Sequence, residues 1–168
     1  RNHLNIAWIY MLARDFENGR KHFEVAVDLN PLDPDVLISW AQGMAYLGHH
    51  KLGLSQAREA IRLNPTHPEY YLGYLAMIQF LTREYESCIT TIGHLEKISP
   101  ETRAFLIAAY ALAGKREDAC MAAEAFIHEI RKIWIGPSDA DENDYVRWLF
   151  QIAPIKPKKD IKRLFGGL

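Results

Sequence analysis

Apolar residues recur at helical spacing along most of the chain, and the runs are cut at intervals by glycine turns or by Asn-Pro and Ser-Pro pairs. The pairs fall at Asn30, Asn64 and Ser99. A residue that precedes proline is pushed out of the helical region, so each pair ends one helix and lets the next begin. Short turns such as Leu47-Gly48-His49-His50 separate the two helices between successive pairs. The pattern predicts helices near 3–14, 16–29, 34–47, 51–63, 67–82, 85–98, 101–113 and 116–134. The fold class expected is all-α, built from antiparallel helix hairpins.

The hairpins are copies of one another. Leu29-Asn30-Pro31 returns as Leu63-Asn64-Pro65, which places the two prolines 34 residues apart. In that register Ala7 aligns with Ala41, Tyr10 with Met44, Gly19 with Gly53 and Ala26 with Ala60. Small residues meet small ones, as they must where two helices cross closely. One inserted residue near 66–69 brings Ala76, Cys88 and Pro100 into the slots of Ala41, Gly53 and Pro65, and Tyr110, Gly114 and Ala119 continue the series. On these residues the chain resembles the tetratricopeptide repeat family over 1–134, with repeats at about 1–33, 34–68, 69–101 and 102–134. The resemblance implies a right-handed superhelix of about four repeats. It also departs from the family: His3 and Leu37 stand where tryptophan is common, and Leu95 and Phe126 replace the alanine of the second helix.

Beyond Trp134, Gly136 and Pro137 stop the last repeat helix, and a short helix follows from about Glu142 to Gln151. Pro154 and Pro157 interrupt the chain again. Ile161, Leu164, Phe165 and Leu168 then recur at the spacing of one helix face. An array of hairpins leaves the apolar side of its last member bare, so residues 135–168 are expected to form capping helices there. The run Trp148-Leu149, Pro154-Ile155-Lys156, Asp160-Ile161 and Leu164 to Leu168 resembles the tail of repeat regions in bacterial class III adenylate or guanylate cyclases and winged-helix regulators. That resemblance implies a regulatory C-terminal part of a multidomain signalling protein. The start on Arg1, already inside a helical pattern, reads as a fragment of a larger protein.

Charge and composition narrow the classes. Twenty basic and 21 acidic side chains give a net charge of −1, which creates no global field for nucleic acid or an anionic membrane. The longest apolar run, Ala104 to Ala113, is about half a membrane span. Cys88 and Cys120 form no Cys-x-x-Cys pair and are too few for a disulfide framework, so a reducing cytoplasm is expected. Among seven histidines only His49 and His50 are close, and neighbours on a helix point apart, so His49-His50-Lys51 reads as a solvated turn and no metal site is expected. The acidic run from Asp139 begins like a calcium loop, yet Asp144 stands where that loop needs glycine and Phe150 where it needs glutamate. Lys156, Lys158, Lys159, Lys162 and Arg163 form a basic cluster opposite an apolar stripe and read as a solvated face. With no phosphate loop, nucleophile elbow or His-Glu-x-x-His helix in the sequence, no enzyme, catalytic residue or cofactor is expected.

The resemblance implies that the first helix of every repeat lines a concave face. Projected on this chain, that stripe holds Leu4, Trp8, Met11, Ile38, Gln42, Tyr46, Tyr70, Met77 and Phe80. Its chemistry is aromatic and apolar, without the lysine and asparagine of repeats that clamp an acidic terminus. The expected function is a non-catalytic interaction or regulatory module, with an apolar or amphipathic protein segment or another domain of the parent chain as partner. A second copy of the chain, through an oligomerisation surface, is the competing partner.

Overall fold

Four of the described helix starts are capped by short polar side chains. Asp33 precedes Pro34, and its carboxylate accepts the backbone N–H of Asp35 at 2.9 Å and of Val36 at 3.3 Å. Pro34 sits at the first helical position, where its missing N–H costs nothing. Ser99 and Pro100 repeat the device, with the Ser99 hydroxyl accepting the N–H of Thr102 at 3.1 Å. Asp141 and Asp144 satisfy each other's backbone N–H groups in a reciprocal capping box.

The computed structural model describes residues 2–166, which form ten α-helices and no strand. They are α1 (Asn2–Leu12), α2 (Phe16–Leu29), α3 (Pro34–Tyr46), α4 (His50–Leu63), α5 (Tyr70–Leu81), α6 (Tyr85–Ile92), α7 (Pro100–Leu112), α8 (Arg116–Ile133), α9 (Glu142–Ile152) and α10 (Lys158–Phe165). The first eight pair as consecutive hairpins, and the second helix of each hairpin also packs on the first helix of the next. Arg1 and Leu168, which the sequence reading used as a starting point and as part of the terminal stripe, lie outside the described residues.

One turn closes all four hairpins. Arg14, Gly48, Arg83 and Gly114 each adopt positive φ, at 61°, 101°, 68° and 79°. In every case the residue's N–H bonds the carbonyl three residues back and the following N–H reaches the carbonyl five residues back. Those last acceptors are Tyr10, Met44, Gln79 and Tyr110, so the backbone carries the period that the side chains carry less regularly. Two arginines occupy a conformation that glycine adopts without cost.

Small residues sit where helices touch. A Cβ added to Gly53 would lie 2.6 Å from the carbonyl oxygen of Ala41, and one on Gly43 would enter the ring of Phe23. Around these contacts one cluster of buried side chains runs through all four hairpins. Phe23, Tyr46, Tyr71, Phe80 and Phe105 are fully enclosed in it. Burying each such ring contributes about 1.5–3 kcal/mol. A second, smaller cluster at the far end joins Phe126 and Ile130 of α8 to Tyr145 and Leu149 of α9.

Two boundaries differ from the sequence pattern for local reasons. Helix α5 starts at Tyr70, because Pro68 excludes a helical conformation at His67. Helix α6 stops at Ile92 and leaves 93–99 irregular; Gly93 follows the β-branched run Thr90-Thr91-Ile92 there, and Glu69 draws the segment aside by accepting the N–H of Glu96 at 3.0 Å.

The tail differs more. Helix α9 covers the last hairpin, as a terminal cap should, but the chain then turns back along the hairpin turns. The Arg14 guanidinium donates to the carbonyls of Phe150 and Ala153 and lies over the Phe150 ring at 4.9 Å. The N–H of Lys156 donates to the Tyr46 carbonyl at 2.8 Å, and Pro157 rests on Gly48. Pro154 and Ile155 are buried, Ile155 as part of the main cluster, and Leu164 of α10 joins it. The expectation of a cap confined to the last repeat is therefore corrected: the segment after α9 is a strap that reaches back to the first hairpin.

Candidate binding site on the first-helix face

The nine residues projected onto the concave stripe do come together, but seven of them are sealed inside. Leu4, Met11, Ile38, Gln42, Tyr46, Met77 and Phe80 are buried. Trp8 is half-buried, its indole N–H donating to the Ser39 hydroxyl at 2.9 Å and its ring edge-on to Phe23 and Tyr46. Tyr70 alone is exposed, at 42%. Those seven therefore pack as core side chains and offer no surface to a partner. The array curls until Tyr46 of α3 stacks on Phe105 of α7, at 6.4 Å and 7°, across the intervening hairpin. Large aromatic side chains on the inner stripe fill the space that smaller ones would leave open.

What stays open is a cavity of about 420 Å³ between α5, the irregular 93–99 segment and the start of α7. Tyr70, Tyr74 and Met77 line one side, and Lys97 and Glu101 the other, with Glu69 at the edge. Helical spacing from Tyr70 to Tyr74 to Met77 puts those three on one face of α5. The first turn of α7 positions Glu101, because Pro100 and the Ser99 cap fix where that helix begins.

Glu101 sets the character of the cavity. Its Oε1 accepts the Tyr46 hydroxyl at 2.7 Å, and no described cationic side chain pairs with it. Burial pushes its carboxyl up to about 7, although the Tyr46 hydrogen bond pulls the other way. Burial likewise raises the Tyr46 hydroxyl well above its usual range, helped by the negative charge of Glu101, and raises that of Tyr74 for the same two reasons. Gln42 completes the floor by donating to the Met77 sulfur at 3.1 Å. Above it, the Tyr70 and Tyr71 hydroxyls both donate to Asp35 Oδ1, at 2.6 and 2.7 Å. The edge of the cavity is therefore tied to α3.

Glu101 and Tyr74 were not singled out in the sequence. An acidic residue just after a Ser-Pro pair is ordinary at a helix start, where the macrodipole favours it, and that role hides the second one. The second role comes only from the reach of the Tyr46 side chain from α3 to the first turn of α7.

The residues read as solvated also need correction. His50 is mostly covered and lies 2.9 Å from the carboxylate of Asp160, which has no exposure; Arg163 reaches the same carboxylate at 3.2 Å. His50 thus ties α10 to α4, and Arg163 pairs with the same carboxylate within α10, while Lys158, Lys159 and Lys162 remain exposed. Cys88 is buried, and burial pushes its thiol up to about 12. No group of three or more potential metal ligands occurs among the described residues, and none of their helices is long and apolar enough to cross a membrane.

No family model matches the chain. A stretch of 93 residues, 54% of the chain, is 36% identical to U-box domain-containing protein 70 of Oryza sativa subsp. japonica. The match covers 11% of that protein, so the chain corresponds to a small part of it.

Proposed function

We propose that this chain is a tetratricopeptide-type interaction module that holds an extended segment of another protein on the first-helix face. The 34-residue register and the turn shared by all four hairpins support the repeat reading. The observation that carries the binding reading is the cavity beside Tyr70, Tyr74 and Met77, where the projected stripe has its exposed residue, Tyr70. Tyrosine and methionine present large, adaptable contact surfaces at low entropic cost, which suits a peptide. The site is smaller than the sequence implied, sized for one or two side chains, so its occupant is a short motif and not a long amphipathic helix.

Selection from a displayed library of random dodecapeptides, followed by NMR mapping of the selected peptides on the labelled protein, tests this. Shifts centred on Tyr70, Tyr74 and Met77, and loss of binding in Tyr74→Ala, are the expected outcome. Peptides that map to the outer surface of α2, α4 or α8, or a library that yields no binder, would refute it.

A further inference from the structure

We propose that the cavity between α5 and α7 selects a positively charged side chain, an ammonium or guanidinium, from the bound segment. The proposal rests on the peptide-binding reading above and names what that site prefers. A partner that closes the cavity must cover the half-buried Glu101 carboxyl, which has the Tyr46 hydroxyl as its hydrogen-bond donor and is ion-paired with no described cation. Covering a carboxylate without a counter-charge is costly, so the occupant has to supply a cation or the carboxyl has to take a proton. An acidic occupant would add a third acidic group beside Glu101 and Glu69. An apolar one would force Glu101 to be neutral. A cationic side chain satisfies the carboxylate directly and meets the ring of Tyr74 and the exposed ring of Tyr70 on its way in, which adds a cation–π contribution.

The volume agrees. About 420 Å³ accommodates a lysine or arginine side chain together with part of its backbone. The one basic residue on the lining, Lys97, is exposed and within 4 Å of no described carboxylate, so the place opposite Glu101 is not taken. Glu101 is also linked through Tyr46 to Gln42 and Met77. That network holds the carboxylate in position before the ligand arrives, and a preorganised charge discriminates better than a mobile one.

An array of heptapeptides with lysine, arginine, norleucine or glutamate fixed at the centre and randomised flanks, probed with the intact chain at pH 8, is the test. Lysine or arginine peptides should bind at least about tenfold tighter than their norleucine counterparts, the worth of one charge-assisted hydrogen bond. Glu101→Gln keeps an acceptor for Tyr46 and nearly the same shape; it should erase that preference, with norleucine peptides binding the variant no more weakly than they bind the parent chain. Equal binding of lysine and norleucine peptides, or a preference that survives Glu101→Gln, overturns this inference and leaves the peptide-binding reading intact. Failure of all four classes to bind would overturn both.

Discussion

The backbone N–H of Lys156 donates to the carbonyl of Tyr46 at 2.8 Å, a bond between residues 110 positions apart that pins the tail to the end of α3. Ile155 beside it is 1% exposed. Replacing Ile155 with alanine should cost about 2–5 kcal/mol of stability, as for other buried aliphatic truncations. Urea denaturation followed by circular dichroism reads the loss; a change below about 1 kcal/mol would mean that the strap is not part of the core.

The Asp160 carboxylate gives a second, electrostatic, hold. It is wholly buried between His50 and Arg163, so removing it leaves two largely covered groups without their partner. Asp160→Ala should destabilise by about 3–5 kcal/mol. A double-mutant cycle with His50→Ala should show a coupling of about 0.5–3 kcal/mol. Purely additive effects would show that the contact carries no energy.

Close crossings make a glycine position decisive. At Gly53 an added methyl group would approach the Ala41 carbonyl to 2.6 Å, a backbone atom that cannot move without shifting α3. Gly53→Ala should therefore destabilise by about 1–3 kcal/mol, although alanine is the better helix former. At Arg83, where φ is 68°, the opposite holds: Arg83→Gly relieves backbone strain and should be neutral or stabilising. In thermal melts the midpoint should fall for Gly53→Ala and should not fall for Arg83→Gly.

How much of this was legible in the sequence differs from part to part. Prolines, caps and small residues mark α1 to α4 closely, because local chemistry decides them. The ends of α5 and α6 moved where Pro68 and the Glu69 contact to the 93–99 segment intervened. Whether the stripe projected on the first helices is open depends on how tightly the array curls. Spacing along the chain does not encode that. His50 reads as part of a solvated turn because its partner, Asp160, lies 110 positions away, and only the returning strap brings the two together.

The acid–base behaviour of Glu101 makes a prediction that needs no ligand. Its folded-state carboxyl titrates near 7, above the ordinary 4.5, so the folded protein holds this proton more tightly than the unfolded chain does. The groups around it are Tyr46 and Gln42 from α3, Glu69 beside α5, Tyr70 and Tyr74 on α5, and Lys97 before α7. Linkage then requires the stability contributed through this group to be highest below about pH 4.5, to fall as pH rises to about 7, and to level off above it. Glu101→Gln should flatten that part of the profile and be the more stable protein at pH 8. Denaturation midpoints from pH 5 to 8 for both chains check it; parallel curves would show that Glu101 is solvated.

The strap also alters how the molecule comes apart. In an open row of hairpins each unit touches only its neighbours, so the row can fray from either end and melt in stages. Here Arg14 in the first turn is bonded to Phe150 and Ala153 behind the fourth hairpin, which converts the row into a ring of dependencies without a free starting edge. Loss of the first hairpin releases the tail, and loss of the tail uncovers the turns of the first two hairpins, so the four units are expected to unfold as one cooperative block.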